Sequence, residues 1–457
     1  RARAPPGGPN GASVSLSPYY QLRCVDSSPC AGCENATHNP GADMWPSAPL
    51  PGMRRRHFLG AFGAAGLGGL AGCTGSGGGP GSGGSGGTAS PPGTPTDAST
   101  PSATDTRGPG AVTVNGVEVP VPDSSLRRGA AKDAIPAIVD PAFGEDWSGI
   151  EMEVRSGFGG GGRTSRPRLS DGDEVIAVER DGEARAYPLR VLNWHEIVND
   201  SFGGPLLVTY CPLCGSGVTA VRTVDGEPTT FGVSGLLFRN ALVMYDERTN
   251  SLWSQIAAAA IQGGKVGTAL DLVPSAITTW GEFRAQYPEG TVLRPPPESS
   301  TVTGRNSTRN YDRNPYAGYE SSSQIGIGGS FDDDRLHPKT TVVGVEHGGV
   351  ARAYPLDRVR EAGVVNDEVG GLPVVVAATG SGTLVAYVRE ADGETLTFER
   401  ESEGFLAAGG SRWRLLGGRA VDGPHEGTRL DQANTVAGEF FFSWLNFHPE
   451  TEVWSAE

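Results

Sequence analysis

The sequence predicts a mostly β protein (β-rich α+β) made of two tandem copies of one module, the product of an internal duplication, packed together behind a disordered tether. Three observations carry this reading: short alternating apolar runs between Gly and Asp turns, two long segments that match in register, and a stretch built almost wholly from Gly, Ser, Pro and Thr. The chain has 457 residues, more than one compact domain ordinarily holds. Its formal charge is −15, and residues 1–73 carry six Arg against three acidic residues, leaving −18 on residues 74–457. That balance argues against a nucleic-acid partner. Of 37 basic residues only Lys132, Lys265 and Lys339 are Lys, so the surface is acidic and Arg-rich, as in salt-adapted proteins. No uninterrupted apolar run reaches the roughly 18 residues a membrane span needs, which excludes a polytopic membrane protein.

The elements follow in chain order. Residues 1–52 read as an over-extended start or a segment that is removed; the spacing Cys30-x-x-Cys33, with Cys24 nearby, lies there. Residues 53–73 read as a twin-arginine lipoprotein signal. Arg55 and Arg56 lead a short apolar stretch, Phe58 to Leu70, and Leu70-Ala71-Gly72-Cys73 has the small-residue form of a lipid-attachment site at Cys73. The expected destination is the outer face of the cytoplasmic membrane, with the membrane as partner through that lipid and any protein partner unidentified. Residues 74–110 are a tether in which 31 of 37 residues are Gly, Ser, Pro or Thr. Gly84-Ser85-Gly86 falls inside it with no strand or helix around it, so it is no hydrolase elbow.

Ala184-Arg185-Ala186-Tyr187-Pro188-Leu189 recurs as Ala351-Arg352-Ala353-Tyr354-Pro355-Leu356, 167 positions later, and Val-Asn-Asp-x-x-Gly-Gly follows both at 198–204 and 365–371. The same spacing returns at Asp225-Gly226-Glu227 and Asp392-Gly393-Glu394, too often for chance. This sets module 1 at 111–296, a connecting loop at 297–334 and a degenerate module 2 at 335–457. Each copy opens with a hairpin. In the first, Leu189 to Val198 reads as a short helix, followed by strands at 205–210, 218–224, 229–233 and 242–246. Trp280 to Val292 and Phe442 to Val453 read as the same closing element. Tyr311, Tyr316 and Tyr319 fall within nine residues of the connecting loop and mark it as an ordered cover over one module.

The sharpest chemical signal is Cys211-Pro212-Leu213-Cys214-Gly215. Two thiolates at this spacing can face one metal ion, with Gly215 permitting the tight exit. A second such pair is missing, so further ligands must come from elsewhere; His195 is the nearest candidate, with Glu196 as an additional ligand or orienting group. At the 167-residue spacing Cys211, Cys214 and His195 become Ala378, Ser381 and Ala362, a joint loss that suggests a joint role. Met244, Asp246, His337, His347 and His448 are open choices for a fourth ligand. The donor set suits zinc or copper. The same Cys211 and Cys214 also suit a thiol–disulfide redox pair, or a structural disulfide in a non-catalytic surface interaction module. Gly215 stands where haem attachment needs a His, and Asn199 stands where a zincin needs its second His. No catalytic residue is assigned from the sequence.

Together His195-Glu196-Ile197-Val198-Asn199-Asp200, Thr209-Tyr210-Cys211-Pro212-Leu213-Cys214, Met244-Tyr245-Asp246 and Ser251-Leu252-Trp253-Ser254-Gln255 resemble domain-of-unknown-function family 3179. So do Lys132 to Ile138 and the ending Phe447-His448-Pro449-Glu450. The resemblance spans roughly residues 130–457 and implies a haloarchaeal-type, lipid-anchored member without an assigned reaction. The leading expectation is an extracytoplasmic protein binding zinc or copper through Cys211, Cys214 and His195.

Overall fold

The computed structural model describes residues 111–155, 162–304 and 308–456. The export signal, Cys73, the tether and Cys24, Cys30 and Cys33 lie outside the described residues. Among the described residues no helix is long and apolar enough to cross a membrane.

The chain is mostly β, as expected, and its six sheets of three to five strands are arranged as a six-bladed β-propeller. The hairpin Glu174–Arg180 and Glu183–Pro188 shows how the sequence builds a blade. Val175 to Val178 are buried on both faces of their sheet, which suits a continuous apolar run. Asp181 and Gly182 turn between them with φ of 53° and 84°, the paired positive angles a two-residue hairpin turn requires. Four short helices are packed among the sheets: Leu189–His195, Trp280–Gln286, Leu356–Ala362 and Phe441–Phe447.

The element order repeats at the spacing found in the sequence. Strands Glu174–Arg180 and Glu183–Pro188 and helix Leu189–His195 have counterparts at Thr341–His347, Val350–Pro355 and Leu356–Ala362, each 167 positions on. The matching motifs do the same structural work in both places. Asp200 accepts from Arg185 and from the Tyr187 hydroxyl, each at 2.7 Å; Asp367 does so from Arg352 at 2.7 Å and Tyr354 at 2.8 Å. Asn199 braces the backbone N–H and C=O of Phe231, and Asn366 those of Phe398. These motifs are clasps that tie a hairpin to the next sheet, worth several kcal/mol if one buried partner is removed.

The strands that lead into the two closing elements each lie against the other half. Strand Ser275–Thr279 pairs with Glu174–Arg180, yet Thr278 bonds Thr383 at 2.7 Å, in the turn that corresponds to the cysteine turn. Strand Glu439–Phe440 pairs with Thr341–His347, yet Phe440 N–H donates to Cys214 O at 2.8 Å and Ala437 N–H to Gly217 O at 2.8 Å. The largest core cluster spans both halves accordingly, joining Tyr187, Leu192 and Val208 to Val375, Tyr387 and Trp413.

Candidate functional site

Strands Leu206–Cys211 and Ser216–Val221 run antiparallel, with Cys211 opposite Ser216, so the sequence between them must reverse within four residues. Cys214 N–H donates to Cys211 O at 3.0 Å to close that turn. Gly215 follows at φ 63°, where an added Cβ would lie 2.9 Å from the Phe440 ring; both the angle and the crowding require glycine. The turn carries Cys211 and Cys214 into an apolar cluster with Ile197, Phe231, Met244 and Trp253, and the two residues are 2% and 0% exposed.

Their sulfurs stand 3.0 Å apart and both thiols are free. A disulfide needs about 2.05 Å. Two thiolates on one tetrahedral zinc, with Zn–S near 2.3 Å, would stand about 3.8 Å apart. The separation fits a hydrogen-bonded dithiol, and its two members differ. Burial pushes Cys211 up, but the Cys214 thiol and the backbone N–H groups of Leu242, Cys214 and Leu213 outweigh it and leave Cys211 below its ordinary value. Burial, then the Cys211 neighbour, pushes Cys214 well above. Cys211 is therefore the more readily ionised of the two sulfurs, and Cys214 the one that holds its proton more tightly.

Glu196 joins them. Helix Leu189–His195 ends at Glu196 with φ 58°, where the corresponding helix Leu356–Ala362 ends at Gly363 with φ 78°. A non-glycine residue in the left-handed region costs on the order of 1 kcal/mol, which the surrounding structure must offset. The Glu196 carboxyl is raised well above the carboxylate range by burial and then by the nearby Cys211. Glu439 completes the polar wall: it is 2% exposed, its Oε2 lacks a hydrogen-bond partner, and burial pushes it up to about 8. A cavity of about 240 Å³ opens beside the turn, lined by Tyr210, Gly215, Phe440, Glu320, Arg360 and Ser381 among others.

His195 is placed differently. It is fully buried, with Nδ1 2.8 Å from Pro136 O and Nε2 2.8 Å from the Tyr311 hydroxyl. That pairing has Nδ1–H donating and Nε2 accepting, and burial lowers the imidazole to about 4, so it is neutral. Both ring nitrogens are engaged away from the sulfurs. Among the described residues no group of three or more His, Cys, Asp and Glu stands close enough to hold one metal ion. The other fourth-ligand choices have structural posts. Met244 is in the core, Asp246 accepts from Thr249 and Trp253, His337 accepts from Lys339 N–H, His347 meets Gly370 O, and His448 stacks on Trp444.

The connecting loop is ordered where it is described and crosses this site. Tyr311 covers His195, Tyr316 lies near Glu196 and Cys211, and the Tyr319 hydroxyl donates to Leu213 O at 2.9 Å. The run of tyrosines announced that loop, but nothing in the sequence announced Glu439. It stands 161 positions after Thr278, in the strand that leads into the closing element, where the register of the repeat has already slipped.

No curated protein and no solved structure matches the chain. A family model described as a protein of unknown function, DUF3179, matches residues 132–451, which take in the cysteine turn, the connecting loop and both closing helices. The chain belongs to the DUF3179 family.

Proposed function

We propose that Cys211 and Cys214 are a buried thiol–disulfide redox pair. The observation that carries the reading is the reduced pair 3.0 Å apart with one sulfur biased toward thiolate and the other toward thiol. Closing the disulfide moves the sulfurs together by about 1 Å. In the forward direction the Cys211 thiolate attacks one sulfur of a partner disulfide, and the other partner sulfur leaves as a thiolate. Cys214 then gives up its proton and attacks Cys211 Sγ, forming the Cys211–Cys214 bond and expelling the second partner thiolate. Two electrons pass to the partner, whose two thiolates take up the Cys214 proton and one proton from solvent, the latter matching the proton Cys211 lost on ionising.

A second reading rests on Glu196. A buried carboxyl beside Cys211 supports a zinc or copper site of Cys211, Cys214 and Glu196 that would form only by rearrangement, since as they stand the three are not close enough to share one ion and the sulfurs would have to spread to about 3.8 Å. His195 would join such a site only by giving up both of its hydrogen bonds. Elemental analysis of the full chain, with Cys211 and Cys214 thiols counted by peptide mass, separates the readings. The redox reading expects no stoichiometric metal, reversible closure in glutathione buffers, and a trapped mixed disulfide on Cys211 in Cys214→Ser. One zinc or copper per chain, lost in Cys211→Ser, would replace it with the metal reading.

The setting belongs to the same proposal. Arg55, Arg56 and Cys73 support twin-arginine export and lipid anchoring at the outer membrane face, in a haloarchaeal-type lipoprotein, where a disulfide-exchanging pair has oxidised partners to meet. The 167-residue recurrence of strands, helices and clasps supports an origin by internal duplication, with chemistry kept in the first copy.

A further inference from the structure

The sulfurs are enclosed by two kinds of cover. Strands Leu206–Cys211, Ser216–Val221 and Ala241–Asp246 are locked in sheet ladders, and moving them breaks the fold. Residues 312–324 are different, because they belong to no strand or helix. Asp312, Arg313, Asn314, Ala317, Gly318 and Glu320 are exposed along this segment.

We propose that residues 311–325 form a hinged lid over the Cys211–Cys214 pair, latched by Lys339. The hinge points are the two buried ends. Tyr311 is 1% exposed, and Arg190 Nε donates to its carbonyl at 2.8 Å; Ile325 is buried against Phe440 and Phe442. Between them Asp312 meets Arg190 and Ser165 at 2.8 and 2.9 Å, the Tyr319 ring packs against Phe440, and the remaining attachment is polar. Lys339, itself buried, donates from Nζ to three lid carbonyls: Tyr319 O at 2.9 Å, Ser322 O at 2.8 Å and Gln324 O at 2.6 Å. Its ammonium also sits 3.7 Å over the Tyr319 ring. The Tyr319 hydroxyl donates to Leu213 O inside the cysteine turn and accepts from Gly326 N–H at 2.8 Å.

A segment with exposed side chains and no ladder, held at Asp312 beside one hinge and by the Lys339 and Tyr319 cluster beside the other, opens at lower cost than the sheets beneath it. Its opening uncovers the turn and the sulfurs while the sheets stay intact. The inference rests on the reading that these sulfurs react with something outside the fold, and it adds what admits the reactant.

The test is alkylation of the native full chain by iodoacetamide, with Cys211 and Cys214 followed by peptide mass, alongside amide hydrogen exchange. Lys339→Met removes the latch, and Tyr319→Phe, a milder change, removes only its hydroxyl. The expected result is alkylation at least tenfold faster in Lys339→Met and about threefold faster in Tyr319→Phe. Exchange should quicken across 312–324, with Leu206–Cys211 and Ser216–Val221 unchanged. Equal rates in all three proteins would overturn the lid, as would faster alkylation that comes with equal loss of protection in those strands. Redox exchange is scored separately on the same samples. Sulfurs that the variants expose but that fail to exchange with oxidised glutathione would remove the redox reading and leave the lid standing.

Discussion

Glu439→Gln gives a stability change whose sign and size both follow from the structure. The Glu439 carboxyl is 2% exposed with Oε2 unpartnered, and burial lifts it from an ordinary 4.5 to about 8. The folded state therefore holds this proton more tightly than the unfolded chain does. The contribution is fully present below pH 4.5 and is lost as pH rises through 8. Within that window wild type loses stability by up to about 1.4 kcal/mol per pH unit from this one group. Between pH 5 and pH 7 the loss comes to about 2.5 kcal/mol. Glutamine keeps the shape and does not titrate, and every other titrating group is common to both proteins. Urea unfolding of the full chain, read by tryptophan fluorescence at pH 5, 6 and 7 in one salt concentration, should show the variant gaining about 2.5 kcal/mol on wild type across the range. A gap that stays constant with pH would refute the buried, protonated carboxyl.

Gly215→Ala should cost about 1–3 kcal/mol, because it meets both a left-handed backbone angle and the Phe440 ring; a cost under about 0.5 kcal/mol in urea unfolding would void the crowding argument. Asp200→Asn should destabilise by about 3 kcal/mol and Asp367→Asn by about 1 kcal/mol, since the Asp200 side chain is 5% exposed and that of Asp367 is 23%; equal costs would show that burial does not set the strength of the clasp. Glu196→Gly should raise stability by about 1 kcal/mol by relieving its backbone angle, while altering thiol reactivity at Cys211; a lower unfolding midpoint would mean the carboxyl is held by contacts that outweigh the strain.

The parts of the fold legible in the sequence were those built from neighbours in the chain. The hairpin ending at Pro188, the strand ending at Cys211 and the reversal at Gly215 each carry their own punctuation, and the structure has them within a residue or two of expectation. The sequence predicts that the helix after Pro188 runs to Val198, but it ends at His195. Glu196 takes a left-handed angle that its residue type does not advertise, and Ile197–Asp200 goes on as a strand. The six blades were not legible, because pairings such as Val198 with Ile138 or Ser300 with Asp140 join segments whose periodicity says nothing about their partners. The site divides the same way. The cysteine turn is local and was found. Proximity in sequence and the joint change 167 positions on group His195 with it, while its partners, Pro136 O and the Tyr311 hydroxyl, lie 59 and 116 residues away. A histidine that fixes a lid hinge and one that holds a metal look alike until those partners are seen.

The crossed closing elements bear on how the protein is made. The wall beside Cys214 is Glu439 and Phe440, so a nascent chain that has emerged only as far as the connecting loop carries both sulfurs beside an unfinished wall. Synthesis order thus imposes an interval in which any small oxidant can reach them, and the last few dozen residues end it. Stop codons ahead of Glu439 would consequently yield products whose cysteines are open to the oxidants of whichever compartment receives them.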